Sequence, residues 1–184
     1  RLGPDMSGMA RGNILPTKNC LPAVDSDSLR IPESVFGQTV TGDYIDESDY
    51  IQWTEPDCIL TPDGSTLRMV PWYEEPTAQV ICDAETREGK PVPISPRAVL
   101  KNVLALYEAK GWKPIVAPEL EFYLAAKNID PDNPLEPPIG ASGRQETGRQ
   151  SYGIDAVNEF DPIFEDMYDY CEAQELDVDT LIHE

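Results

Sequence analysis

Histidine, cysteine and basic side chains are all scarce in this chain of 184 residues. The single histidine, His183, stands next to the C-terminal residue, which argues against a Ser-His-Asp or Cys-His mechanism. Cys20, Cys58, Cys82 and Cys171 are far apart and form no CxxC pair. That spacing fits reduced thiols in a cytoplasmic protein better than a disulfide framework or a zinc site. Lys and Arg number 14 against 34 Asp and Glu, for a net charge of -20 and a pI of about 4.2. Such a surface repels phosphate backbones and anionic lipid, so neither nucleic acid nor a membrane is an expected partner. No stretch approaches the ~20 apolar residues of a membrane span. Gly140, Gly143 and Gly148 lack the Gly-Lys-Ser/Thr ending of a phosphate-binding loop. Asp130-Pro131-Asp132-Asn133-Pro134 is the nearest approach to a calcium loop, and its prolines and missing distal Glu spoil it.

What remains is the composition of a globular protein, 40 % hydrophobic and 26 % charged. The chain starts at Arg1 rather than Met and in mid-pattern, as a piece of something longer would. Residues 1–92 read as β-rich. Cys58-Ile59-Leu60 and Leu67-Arg68-Met69-Val70 flank Pro62-Asp63-Gly64, which predicts a hairpin. Residues 78–82 predict a further strand, and 37–53 a polar loop. After a boundary near Gly89–Pro93, Ser95 and Pro96 open a helix whose apolar face carries Val99, Val103, Leu106 and Tyr107, and Lys110-Gly111 stops it. Residues 128–150 read as a long flexible loop, 156–174 as a second helix and 176–184 as a final strand. The expected class is α+β in two parts, 1–92 and 93–184.

The segment Lys113 to Leu124 carries the chemistry. As a strand it places Val116, Leu120, Phe122 and Leu124 on one face and Glu119 beside Glu121 on the other. Two neighbouring carboxylates on a desolvated face repel each other, and a divalent cation with a preference for oxygen ligands removes that penalty. The alternative is a strand with one solvated face, on which both glutamates cost little.

Six stretches follow one another in order: Asp5-Met6-Ser7-Gly8 with Arg11-Gly12-Asn13-Ile14-Leu15-Pro16, then Pro56 to Asp63, Ala78 to Asp83, Ser95-Pro96-Arg97, Pro118-Glu119-Leu120-Glu121-Phe122-Tyr123-Leu124, and His183-Glu184. In this order they make the chain resemble the glutamine synthetase family. The first looks like its early strand pair, the second its strand ending in Pro-Asp, and the third the strand leaving its small domain. The fourth resembles its D-P-R helix start, the fifth its P-E-x-E-F-F/Y-L strand, and the last the end of its H-H-E strand.

The resemblance implies a small N-terminal β-grasp domain over 1–92, lacking its first strand, and the beginning of a catalytic α+β domain over 93–184. It implies Glu119 as a ligand of the metal at the ATP phosphates, and Glu121 and Glu184 as ligands of the metal beside substrate glutamate. Tyr152 would lie near the substrate, and Asp179 stands where many relatives carry a nucleotide-contacting Glu. The implied reaction is ATP-dependent amide formation through γ-glutamyl phosphate, with Mg²⁺ or Mn²⁺ as cofactor, in a cytoplasmic ring of six or twelve subunits. This piece alone would be inactive. Relatives that use ammonia carry an Asp in an F-D-G-S-S loop. Here the matching stretch is Val35-Phe36-Gly37-Gln38-Thr39-Val40, with Gly37 or Gln38 at that place. The pattern looks more like the branch that joins glutamate to polyamines such as putrescine, with Asp43, Asp46, Glu47 and Asp49 able to attract a cationic amine. An ammonia-using synthetase and a catalytically inactive regulatory member are the other readings.

Overall fold

The computed structural model describes residues 2–44 and 54–184. Asp46, Glu47 and Asp49 therefore lie outside the described residues. The chain is α+β and divides into two compact units. Arg1–Met69 with Pro76–Ile115 form one, and Val70–Glu75 with Val116–Glu184 the other. No helix among the described residues is long and apolar enough to cross a membrane.

The first unit is built on three small antiparallel sheets. Strands β1 (Leu2–Pro4) and β2 (Ala10–Gly12) form a pair whose turn is organised by Asp5. The Asp5 side chain is fully enclosed, and it accepts hydrogen bonds from the Ser7 and Met9 N–H groups, each at 2.9 Å, and from Arg11 Nε at 2.8 Å. Gly8 takes the left-handed φ of 79° that the turn requires. Helix α1 (Thr17–Asp25) follows. It interrupts the β-rich reading of 1–92 and holds Pro22 inside it, a residue that commonly breaks helices. The central sheet runs β3 (Arg30–Pro32), β4 (Asp57–Pro62), β7 (Cys82–Glu85), all antiparallel. Alternation along these strands sends Ile31, Cys58, Leu60, Cys82 and Ala84 inward, where they meet Leu29, Phe36, Val80 and Val92 in one core.

The predicted hairpin does not form. β4 pairs with β3 and β7, whereas β5 (Arg68–Met69) pairs with β6 (Ala78–Gln79). The reason is the Asp63 turn. Asp63 Oδ1 accepts from the Ser65 N–H and hydroxyl, and Thr66 Oγ1 donates to the Asp63 carbonyl and accepts from the Ile81 N–H. These bonds turn the chain out of the sheet and interrupt the expected strand over 78–82, so that β6 and β7 belong to different sheets.

Helix α2 (Pro96–Glu108) begins and ends where its signals place it. Its end is a Schellman motif: Gly111, at φ 71°, donates to the Glu108 carbonyl and Trp112 to that of Tyr107. Ser95 occupies the N-cap position without a side-chain cap bond, and Ala98, not the Val99–Tyr107 stripe, is the buried position of the helix. Arg97, in its first turn, bonds Asp63 Oδ2 at 2.6 Å and Asp83 Oδ1 at 3.0 Å, and Lys101 also meets Asp83.

The second unit holds α3 (Ile154–Asn158) and α4 (Asp161–Ala173), where one helix was expected over 156–174. The break follows from Pro162, which lacks the N–H to continue α3 but fits the first turn of a new helix. Trp72 packs on Tyr170 with ring centroids 5.9 Å apart. Residues 140–144, expected in a flexible loop, form an ordered turn closed by the Gly140 N–H to Arg144 carbonyl bond and the Ile139–Gln145 bridge. Glu159 pins it: its carbonyl takes the Ala141 N–H at 2.9 Å and its carboxylate the Ser142 N–H at 2.8 Å. That backbone N–H holds the Glu159 carboxyl below the usual range. A Cβ on Gly140 would lie 2.3 Å from Glu159 Oε2 and 2.8 Å from its Cβ, so only glycine admits this approach.

The strands expected over 113–124 and 176–184 are absent. No strand is assigned there, and Val116 and Leu120 are 84 % and 81 % exposed. Alternation states which residues share a face of a strand, not that a partner strand lies beside it.

Three measurements test this packing. Burial alone would raise the Asp5 carboxyl, but the Arg11, Met9 and Ser7 donors outweigh it and hold it below its ordinary value. Its stabilising effect is therefore complete above the ordinary carboxylate pKa and is lost as pH falls through the depressed one. Asp5→Asn is expected to cost about 1–3 kcal/mol in denaturant titrations near pH 7 and clearly less near pH 3. Burial pushes the Cys58 thiol up to about 11. A thiol reagent is expected to label the half-buried Cys20 and Cys171 in the native chain, and Cys58 and Cys82 only on unfolding. Gly140→Ala should lower stability by about 1–3 kcal/mol, read as a reduced denaturation midpoint.

Candidate functional site

The structure brings Tyr152 and Glu184 together. The Tyr152 hydroxyl donates to Glu184 Oε1 at 3.3 Å, and the Tyr152 N–H donates to the His183 carbonyl at 2.7 Å. Two residues far apart in sequence are thus joined by one side-chain and one backbone bond. Tyr152 is held at φ 59°, a left-handed conformation that costs an L-residue about 1–2 kcal/mol. The turn before α3 imposes it. Gly153 N–H closes on the Gln150 carbonyl at 2.6 Å, and a Cβ on Gly153 would lie 2.7 Å from that oxygen.

His183 has its own anchor. Its Nε2 lies 3.1 Å from both carboxylate oxygens of Glu146, and its Nδ1 is buried with no partner among the described residues. Glu146 also lines a polar cavity of about 680 Å³ with Arg144, Gln145, Gln150, Asp155 and Glu159. Glu146 and Glu159 belong to no motif of the sequence. Their partners lie 37 and 17 residues away, beyond the reach of any local pattern.

The other predicted site residues are exposed. Glu119 and Glu121 are exposed, on the segment without a strand. Asp179 is exposed and accepts a hydrogen bond from its neighbour, Thr180 Oγ1, at 3.2 Å. Among the described residues no three of His, Cys, Asp and Glu stand together as metal ligands. A divalent ion needs several oxygen donors at once, and the carboxylates of Glu119, Glu121 and Glu184 are donors of that kind. At the amine-loop position Gly37 is buried, and Gln38 Nε2 donates to the Gly42 carbonyl at 3.3 Å. Asp43 is exposed and accepts from Thr41 Oγ1 at 2.7 Å.

Residues 93–184 match the family model described as the glutamine synthetase catalytic domain. The chain is 36 % identical over 132 residues to glutamate–isopropylamine ligase of a Pseudomonas species, an alignment covering 70 % of this chain and 28 % of that protein. It is 28 % identical over 183 residues to gamma-glutamylputrescine synthetase of Escherichia coli, covering 98 % of this chain and 38 % of that one. A crystal structure described as a novel glutamine synthase homolog superposes with a TM-score of 0.70 at 12 % identity, over 100 % of this chain and 39 % of its own. At that identity the superposition speaks for the fold alone. The chain thus spans less than two fifths of the length of these relatives. With its catalytic-domain segment matched from residue 93 to residue 184, the chain belongs to the glutamine synthetase family.

Proposed function

We propose that the protein carrying this chain is an ATP-dependent ligase that joins the γ-carboxyl group of glutamate to an amine. The observation that carries this reading is the match of residues 93–184 to the catalytic-domain model. A carboxylate is a poor electrophile because oxide is a poor leaving group. Transfer of the γ-phosphoryl group of ATP to a carboxylate oxygen releases ADP and creates an acyl phosphate. The amine nitrogen then attacks the carbonyl carbon, phosphate leaves, and the nitrogen loses a proton. Phosphoryl transfer of this kind depends mainly on positioning and charge neutralisation. In this reading Tyr152 lines the substrate side, held by the bonds described above. Glu119, Glu121 and Glu184 are the proposed ligands of Mg²⁺ or Mn²⁺, and Asp179 the proposed nucleotide contact. Residues 1–92 are proposed as the β-grasp domain and 93–184 as the start of the catalytic domain, in a cytoplasmic ring-shaped oligomer.

The amine is proposed to be organic, with putrescine as the type. Two features support this. The loop that would carry an ammonium-binding Asp has Gly37 and Gln38 instead, and the Gln38 side-chain amide, which carries no charge, donates to the Gly42 carbonyl. The relatives whose names specify isopropylamine and putrescine point the same way.

The test is a coupled ADP-release assay on the protein carrying this chain, with glutamate and ammonium, putrescine or ethanolamine. The expected outcome is glutamate-dependent turnover favouring an organic amine by about tenfold or more, the scale of one charge-assisted contact. A clear ammonium preference would refute the amine assignment, and ADP release independent of glutamate would refute the ligase.

A further inference from the structure

We propose that Glu146 is a positioning residue for the Tyr152–Glu184 pair, acting through His183, and that the Glu159-pinned turn over 140–144 is the brace that sets Glu146. The inference rests on the proposed ligase reading only for its consequence, a correctly held substrate-side tyrosine.

The chain of contacts is continuous within one unit. Glu159 takes the Ala141 and Ser142 N–H groups, and Gly140 leaves room for its carboxylate. The turn closes at the Ile139–Gln145 bridge, immediately before Glu146. Glu146 then presents both carboxylate oxygens to His183 Nε2 at 3.1 Å. The next contacts belong to Tyr152, whose N–H meets the His183 carbonyl and whose hydroxyl meets Glu184. Tyr152 is a non-glycine residue at φ 59°, and such a conformation persists only where its surroundings over-determine it. Residues 176–184 belong to no strand, so no ladder fixes His183 and Glu184. The contact of the His183 ring with Glu146 supplies that constraint. The ring is largely buried, and its Nδ1 has no partner among the described residues, so Nε2 is the nitrogen through which the ring is held.

Amide hydrogen exchange on the 184-residue chain tests this directly and does not depend on activity. Glu146→Ala is expected to speed exchange of the Tyr152 amide by about tenfold or more while leaving the α4 amides near their original rates. Glu146→Gln keeps an acceptor oxygen for His183 Nε2 and is expected to hold Tyr152 within about threefold of the original rate. Three results would overturn the proposal: unchanged Tyr152 protection in Glu146→Ala, equal acceleration through α4, or failure of Glu146→Gln to restore protection. Because the readout is local exchange, such a failure leaves the ligase assignment to the ADP-release assay, and an inactive ligase leaves the brace to stand on exchange.

Discussion

Arg97 ties helix α2 to the central sheet at two places. Its guanidinium reaches Asp63, at the turn that leaves β4, and Asp83, on β7, while its own backbone opens α2. The guanidinium is a rigid fork of donors, suited to spanning two carboxylates at once. In a chain of net charge -20, carboxylates that meet cations are placed with purpose. Burial disfavours the charged Asp83 carboxylate, yet hydrogen bonds from Lys101 and Arg97 and their charges hold it below its usual range. The same fork accounts for the departure from a simple hairpin, because Asp63 is committed both to its own turn and to Arg97.

A second carboxylate device organises the other unit. Glu159 caps two backbone N–H groups of the 140–144 turn and so converts a glycine-rich stretch into a defined shape. The two glycines have different jobs. Gly143 supplies a φ of 77°, and Gly140 supplies the absence of a side chain where the Glu159 carboxylate lies. From that turn the contacts run through Glu146 and His183 to Tyr152 and Glu184. A surface of many acids thus contains a few whose hydrogen bonds set the shape of the candidate site.

Tyr152 and Glu184 meet, whereas Glu119 and Glu121 stand exposed on a segment without strand partners. Family membership is carried by the sequence match over 93–184 and the fold by the superposition. The chain covers less than two fifths of its relatives.

Local signals in the sequence determined local structure: the Asp5 turn with Gly8, the Ser95-Pro96 opening of α2 and its Gly111 ending. Each of these works within one turn of backbone, where residue chemistry limits φ and hydrogen bonding directly. The order of motifs, with Glu119, Glu121 and Glu184 among them, carried the family. Tertiary structure alone decided the rest. It chose β3 and β7, not β5, as partners of β4. It also placed Glu159 beneath Gly140 and Glu146 against His183. These outcomes depend on groups brought together across 17 to 37 residues. Pairing at that distance is settled by competition among all available donors and packed surfaces, which no short window of sequence contains.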